Sequence, residues 1–134
     1  MHHWALGLSY DGSGFHGWQS QTGRRTVQGE LEAALTRINN SPIRIQAAGR
    51  TDAGVHATAQ VVNFSTDVER DQETWMRGLN GLTDPALRVE WVQPVDSQFH
   101  ARYRAVARRY HYVFHDFGRF ADPHLVGQVW HCHA

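Results

Sequence analysis

The sequence AGRTDAGVHA, residues 48–57, separates two segments whose patterns are typical of β-strands. Before it, Ile43, Ile45 and Ala47 fall on one face of an extended chain, because the side chains of a strand alternate between its two faces. After it comes the apolar run QVVNF, residues 60–64, which has the composition of a second strand. The stretch therefore predicts a loop between two strands, and the rest of the chain is organised around it.

Two glycines, an arginine and an aspartate give this loop its chemical character. Gly49 and Gly54 can adopt positive φ angles at little cost, so the backbone can turn sharply and approach a ligand. Asp52 falls at the tip of the turn, and the guanidinium of nearby Arg50 favours the ionised carboxylate. An ionised carboxylate in a rigid loop can act as a nucleophile. The alternative is a polar turn in which Asp52 only caps backbone amides.

Strand and helix patterns alternate along the rest of the chain. Residues 4–10 alternate like a strand, and residues 26–38 have helical spacing with Thr26 as the cap. A weaker helix is expected at 71–82, followed by an alternating strand at 87–91. The segment 110–114, YHYVF, has the period of an aromatic strand.

Together these elements follow the order βαββαβ, with one further strand. This order predicts a single α+β domain over residues 1–134, in the ferredoxin-like split arrangement. We expect an antiparallel sheet with both helices on one face, plus the additional aromatic strand. After residue 117 the sequence loses its pattern, and the tail at 131–133 has the composition of a frayed end.

The stretch GSGFHG, residues 12–17, matches the glycine spacing of a dinucleotide-binding loop. In that motif a helix opens at the last glycine, so that its N-terminus meets the phosphates. Here the next helical pattern begins only near Thr26, so we interpret the stretch as a glycine-rich loop anchored by Phe15 and Trp18.

Composition limits the class of protein. The chain has 134 residues, 41% hydrophobic and 19% charged, which is typical of a globular domain. No stretch is apolar and long enough to span a membrane, and no secretory leader is apparent. The single cysteine, Cys132, excludes an intrachain disulfide, and these features favour the cytoplasm. The ten histidines form no helical pair with metal-ligand spacing, so no metal site is predicted.

The charge pattern allows an RNA partner. The formal net charge is zero, which argues against nucleic-acid binding. However, all 13 basic residues are arginine, and five of them lie at Arg50 or within 102–109. Arginine forks match phosphate oxygens and stack on bases, so a local strip could follow an RNA backbone.

Four separated segments resemble the TruA family of tRNA pseudouridine synthases: Tyr10–Gln21, Gly49–His56, Phe99–Arg102 and Arg108–Tyr112. They occur in the family's order along almost the whole chain. The resemblance implies isomerisation of uridine to pseudouridine in the anticodon stem-loop of tRNA, without cofactor or metal. It also implies a homodimer.

The resemblance assigns roles residue by residue. Asp52 matches the essential aspartate, Arg50 the arginine that pairs with it and helps to displace the base, and Tyr110 a tyrosine packed against that base. Asp52 would attack C1′ or assist departure of the base toward a glycal, and Tyr110 would stack or relay a proton. RNA contacts are expected from Arg102, Arg108, Arg109, His56 and Gln19.

Family members carry a second half of similar fold, and the chain ends near where that half should begin. We therefore expect a fragment, one part of a split enzyme or a degenerate protein, with little or no activity alone. Two alternatives remain. One is a non-catalytic RNA-binding module whose stacking residues are Tyr110, Tyr112 and Phe114. The other is a structural half that completes a partner's cleft.

Overall fold

A four-stranded sheet and two helices form the main body of the protein. The computed structural model describes residues 1–112, 114–116 and 130–132, with side chains described as far as residue 112. The strands of the main sheet are β1 His2–Tyr10, β2 Gln46–Ala47, β3 Ala57–Thr66 and β4 Leu87–Pro94. The helices are α1 Val27–Asn39 and α2 Gln72–Leu82, and a short 3₁₀ turn covers Gly12–Gly14. Across the described ranges, no helix is long and apolar enough to cross a membrane.

The strand order β2-β3-β1-β4 is the split βαββαβ arrangement, with every neighbouring pair antiparallel. Strand β1 lies in the middle, where Leu6 is opposite Val62 of β3 and Val92 of β4. The predicted α+β fold is therefore confirmed, including the element order read from the sequence.

Side chains cap both helices where the sequence predicted. Thr26 accepts a hydrogen bond from the Gly29 amide at 3.2 Å, and Asp71 accepts one from the Thr74 amide at 2.7 Å. Helix α1 is followed by its C-cap Asn40, whose φ of 60° lies in the left-handed region. These caps satisfy amides that the first turn of a helix leaves without backbone partners.

Both helices pack on one face of the sheet. Alternate residues of β1 point into a single core that also contains the apolar faces of α1 and α2. Phe64 of β3 meets Trp75 of α2 edge to face, with ring centroids 5.1 Å apart. The fully buried members of this core include Leu6, Leu8, Leu31, Leu35, Val62, Phe64, Trp75, Leu79 and Val89.

Two local contacts lie on the opposite face of the sheet. The indole of Trp91 crosses β1 at Gly7, where an added Cβ would lie 2.0 Å from the indole nitrogen. Asn63, buried on β3, donates to Gln46 Oε1 at 2.8 Å and accepts from the Ala101 amide at 2.8 Å. Asn63 thereby joins β2 to the segment that follows β4.

The strand before the central loop is shorter than expected. Ile43 and Ile45 are buried, as the alternation predicted, but only Gln46 and Ala47 pair with β3. The amides of both isoleucines donate instead to side chains of α1, Ile45 to Glu32 Oε2 at 3.0 Å and Ile43 to Thr36 Oγ1 at 3.3 Å. Helix side chains therefore replace the sheet hydrogen bonds over this segment.

The C-terminal expectations need two corrections. The additional strand begins at Phe114, not at Tyr110, because β5 covers Phe114–Asp116 and residues 110–112 have no strand partner. It pairs in parallel with a strand that the sequence analysis missed, β6 Trp130–Cys132, in a separate two-stranded sheet. Residues 131 and 132, which were expected to fray, therefore belong to a strand.

Replacing Thr26 with alanine is expected to lower the free energy of unfolding by about 1 kcal/mol, because the Gly29 amide loses its partner. Thr26→Ser keeps the hydroxyl and should retain most of that stability. Urea denaturation of the two variants against the parent measures both values. Equal stability of the alanine and serine variants would show that the cap contributes nothing.

Candidate active site

The loop after β1 and the loop before β3 lie against each other at one end of the sheet. The Trp18 amide donates to the Thr51 carbonyl at 2.9 Å, and the Gly54 amide donates to the Phe15 carbonyl at 3.3 Å. These two backbone bonds run in opposite directions between the loops. The first loop therefore holds the second at both ends of its tip.

Glycines allow this approach of backbone to backbone. A Cβ on Gly12 would lie 2.0 Å from the carbonyl oxygen of Val55, so no larger residue fits without moving the chain. Gly17 has a φ of +83°, and its Cβ would lie 3.0 Å from the Thr51 oxygen. The glycine spacing that resembles a dinucleotide motif therefore serves contact between two loops of the protein itself.

Hydrogen bonds from the buried side chains of Tyr10 and Gln60 support the same loop. The Tyr10 hydroxyl is 2.8 Å from Thr51 Oγ1, and Gln60 Nε2 donates to the Gly49 carbonyl at 2.7 Å. Burial raises the pKa of the Tyr10 phenol above its ordinary value of 10.0, while hydrogen bonds with Thr51 and Gln60 oppose that rise. Tyr10 therefore stays neutral and hydrogen-bonded under the loop.

Asp52 lies exposed at the tip of this supported loop. Its backbone carbonyl accepts from the Val55 amide at 3.1 Å, and Gly54 supplies the positive φ of 81° that the turn requires. Its carboxylate, in contrast, accepts no hydrogen bond from any described residue. The alternative in which the Asp52 side chain caps backbone amides has no support in this geometry.

Arg50 is held differently from the expectation. Its Nη1 donates to Gln19 Oε1 at 3.0 Å, so two of the residues assigned by resemblance meet directly. The expected ion pair between Arg50 and Asp52 does not form within residues 1–112. The bond to Gln19 directs the guanidinium toward the first loop instead.

His56 connects the two loops at their base. Its Nδ1 accepts from the Gly12 amide at 2.9 Å and lies 3.2 Å from Asp11 Oδ1. A ring nitrogen that accepts the Gly12 amide cannot at the same time donate to Asp11, so the Gly12 bond and the Asp11 contact are alternatives for Nδ1. The expected RNA contact of His56 stays a prediction.

Tyr110 and Arg108 bring the segment after β4 to the same loop. The Tyr110 hydroxyl lies 3.1 Å from where a Cβ of Gly49 would be, and 56% of the residue is exposed. Arg108 donates through Nε to the Ala48 carbonyl and through Nη2 to the Arg102 carbonyl at 3.0 Å. Arg108 therefore uses its guanidinium to tie chain segments together.

Arg50 and Arg102 line one cleft of about 230 Å³ beside the loop. Its other lining residues are Gln28, Ile45, Gln46, Ala47, His100 and Tyr103. Arg109 is exposed, and its side chain makes no hydrogen bond or ion pair with the described residues. Neither His100 nor Tyr103 was assigned a role from the sequence. His100 lies within the segment Phe99–Arg102 that carries the resemblance, and Tyr103 follows that segment directly.

Comparisons with known proteins identify the family of the chain. A family model described as tRNA pseudouridine synthase matches residues 8–104, a range that contains both loops and the lining of the cleft. The match covers well over half of the chain. The chain therefore belongs to the tRNA pseudouridine synthase family.

Individual relatives carry the name tRNA pseudouridine synthase A. The protein of Aeromonas hydrophila is 55% identical over 130 residues, which are 96% of this chain and 48% of the relative. The protein of Nitrosococcus oceani is 49% identical over 130 residues, 96% of this chain and 49% of the relative. The protein of Shewanella sp. strain MR-4 is 51% identical over 130 residues, which are 97% of this chain and 49% of the relative. The chain thus spans about half the length of the curated relatives it matches.

Gly12→Ala is expected to displace the tip of the second loop, because the new Cβ meets backbone and not a mobile side chain. Overpacking of this kind costs about 1–3 kcal/mol of stability. Backbone amide chemical shifts of residues 51–56 should change together with the free energy of unfolding. Gly14→Ala is the matched control, since its Cβ would meet only the end of the Arg25 side chain at 3.0 Å. Similar shifts in both variants would contradict the proposed contact.

Proposed function

We propose that the complete gene product isomerises uridine to pseudouridine in the anticodon stem-loop of tRNA, with Asp52 as the nucleophile. Membership of the tRNA pseudouridine synthase family supports the reaction and the type of substrate. The chain spans about half the length of these relatives, and the family resemblance implies a second half that forms the other wall of the cleft. We extend the proposal to a homodimer acting in the cytoplasm, as the family resemblance implies.

The observation that carries the proposal is the contrast between the backbone and the side chain of Asp52. The backbone of its loop is fixed by Trp18, Phe15 and the Tyr10 network, whereas the carboxylate contacts no described donor. A structural aspartate in a turn ordinarily accepts backbone amides. A fixed position with an unoccupied, exposed carboxylate suits a group that reacts with a substrate.

The chemistry requires an anion and no co-reactant. The Asp52 carboxylate bonds to C1′ of the flipped uridine as the N1–C1′ bond breaks, and the electron pair leaves with the uracil. The uracil rotates, C5 attacks C1′ and the carboxylate leaves. C5 then loses its proton and N1 gains one, so that the product is an isomer of the substrate.

In this proposal Arg50 and Tyr110 act on the position of the uracil base, whereas Asp52 reacts with the sugar. A uridine must leave the helical stack to be reached, and a side chain has to fill the gap. Arg50 suits that task because its bond to Gln19 fixes the planar guanidinium beside the loop. Tyr110, over Gly49 and more than half exposed, offers a ring on which the flipped uracil can stack.

Asp52→Asn is expected to lower single-turnover pseudouridine formation by about 10⁴-fold or more, the scale for loss of a catalytic nucleophile. Affinity for tRNA should remain near that of the parent, because the side chain keeps its size. Tritium release from labelled tRNA and filter binding measure the two quantities on the complete gene product.

The matched control for this variant is Asp67→Asn, which alters an exposed aspartate just after β3 that has no side-chain partner among the described residues. It should retain both rate and affinity. Substantial turnover by Asp52→Asn would remove the nucleophile assignment. RNA binding without turnover in the parent protein would favour the non-catalytic RNA-binding module.

Tyr110→Phe is expected to keep most of the activity, while Tyr110→Ala should lose about 1–3 kcal/mol of transition-state stabilisation, the range for base–aromatic stacking. Tyr112→Ala is the control, since Tyr112 is 78% exposed and nearby in sequence. The kcat/KM values of the three variants decide the role. Equal values for Tyr110→Phe and Tyr110→Ala would exclude stacking, and a large loss in Tyr110→Phe would assign the hydroxyl a part in proton transfer.

A further inference from the structure

The cleft beside Arg50 has two walls that a buried residue holds in place. Gln46 of β2 forms part of one wall, and the turn at 99–103 forms the other. Asn63 is 7% exposed and bonds both, donating to Gln46 Oε1 and accepting from the Ala101 amide, each at 2.8 Å. The width of the cleft is therefore set by the core of the sheet and not by surface side chains alone.

The charges that face the cleft have one sign. Arg50 and Arg102 are its two ionised lining residues, and no carboxylate lines it. Glu32 bonds two of the lining residues, since its Oε2 accepts from the Ile45 amide at 3.0 Å and from Gln28 Nε2 at 3.3 Å. Two guanidinium groups without a facing carboxylate favour an anion such as a phosphodiester.

Aromatic surface lies next to these charges. The rings of His100 and Tyr103 stack with centroids 4.2 Å apart and an interplanar angle of 27°. His100 is fixed in this position because its Nδ1 accepts the amides of Arg102 and Tyr103, each at 3.2 Å. Tyr103 is 75% exposed, so its ring is accessible to a base.

A hydrogen-bond donor completes the lining. Gln46 Oε1 is used by Asn63, and within the described residues its Nε2 group has no partner. Because the hydrogen bond to Oε1 fixes the orientation of the side-chain amide, the Nε2 donor can pair with an acceptor on the edge of a base. The cleft thus combines cations, a stacking surface and an oriented donor.

We propose that this cleft binds one nucleotide of the RNA adjacent to the modified uridine, with its phosphate on Arg102 and its base against the His100–Tyr103 stack. The volume of about 230 Å³ suits part of a single nucleotide, since pockets for larger ligands occupy about 300–1,000 Å³. Asp52 does not line the cleft, so the nucleotide bound there is not the one that reacts. The proposal rests on tRNA being the substrate.

The test asks whether the side chain of Arg102 and one particular phosphate contribute to binding through the same contact. Anticodon stem-loop RNAs are prepared with a single neutral methylphosphonate at each position near the target uridine, and binding to the complete gene product is measured. In the parent, one position should weaken binding by about tenfold, because a charge-assisted hydrogen bond is lost. In Arg102→Ala that same substitution should have no further effect, and the slope of binding against salt should fall by about one.

Controls separate this subsite from general attraction and from catalysis. Arg104→Ala removes an exposed arginine outside the cleft lining and should leave the effect of each methylphosphonate unchanged. Tyr103→Ala should weaken binding by about fivefold to a hundredfold and Tyr103→Phe much less. If no phosphate is coupled to Arg102, the subsite proposal is wrong. Pseudouridine formation on the unmodified stem-loop, measured in parallel, tests the proposed function independently.

Discussion

The contact between Gly12 and the Val55 carbonyl is the constraint on which the site depends. Two stretches of backbone can approach this closely only where one of them has no side chain. This approach allows the Trp18–Thr51 and Gly54–Phe15 backbone hydrogen bonds to form. These two bonds hold the turn around Asp52 in place. Pre-organisation of this kind lowers the entropy that a reaction would otherwise lose in orienting its catalytic group.

Polar side chains near the loop fall into two groups: those that already have a hydrogen-bond partner among the described residues, and those that do not. The first group hydrogen-bonds to the backbone or to side chains of the two loops and comprises Tyr10, Gln60, His56 and Arg108. The carboxylate of Asp52 remains unoccupied among the described residues. Residue type alone did not separate these groups, because histidine and arginine serve equally well as RNA ligands and as supports for a loop.

The sequence predicted the fold well because its signals are local. Helix caps at Thr26 and Asp71 and the two-residue period of β1 depend on neighbouring residues, and both were confirmed. The length of β2 and the position of the aromatic strand were wrong. Both depend on distant partners: Glu32 and Thr36 bind the isoleucine amides, and residues 130–132 pair with β5.

The candidate site shows the same division. Resemblance assigned roles to Asp52, Arg50 and Tyr110, and those roles stay proposals. The structure brings the Tyr110 hydroxyl next to Gly49, in the loop that carries the other two. The Arg50–Asp52 ion pair was expected from their spacing, but spacing does not reveal that Gln19 competes for the guanidinium. The cleft with His100 and Tyr103 requires segments about 50 residues apart to meet, which no local pattern contains.

The central position of β1 has a consequence for how the molecule folds as it is synthesised. Strand β1 precedes the other three strands of its sheet, and its Leu6 lies between Val62 of β3 and Val92 of β4, so during synthesis β1 has to wait for both neighbours. Both interlocked loops precede residue 58 and emerge before β4 does. In a nascent chain, their contacts can therefore hold β1 beside β3 while β4 is still inside the ribosome. The glycines that shape the loops would then also guide the order of assembly.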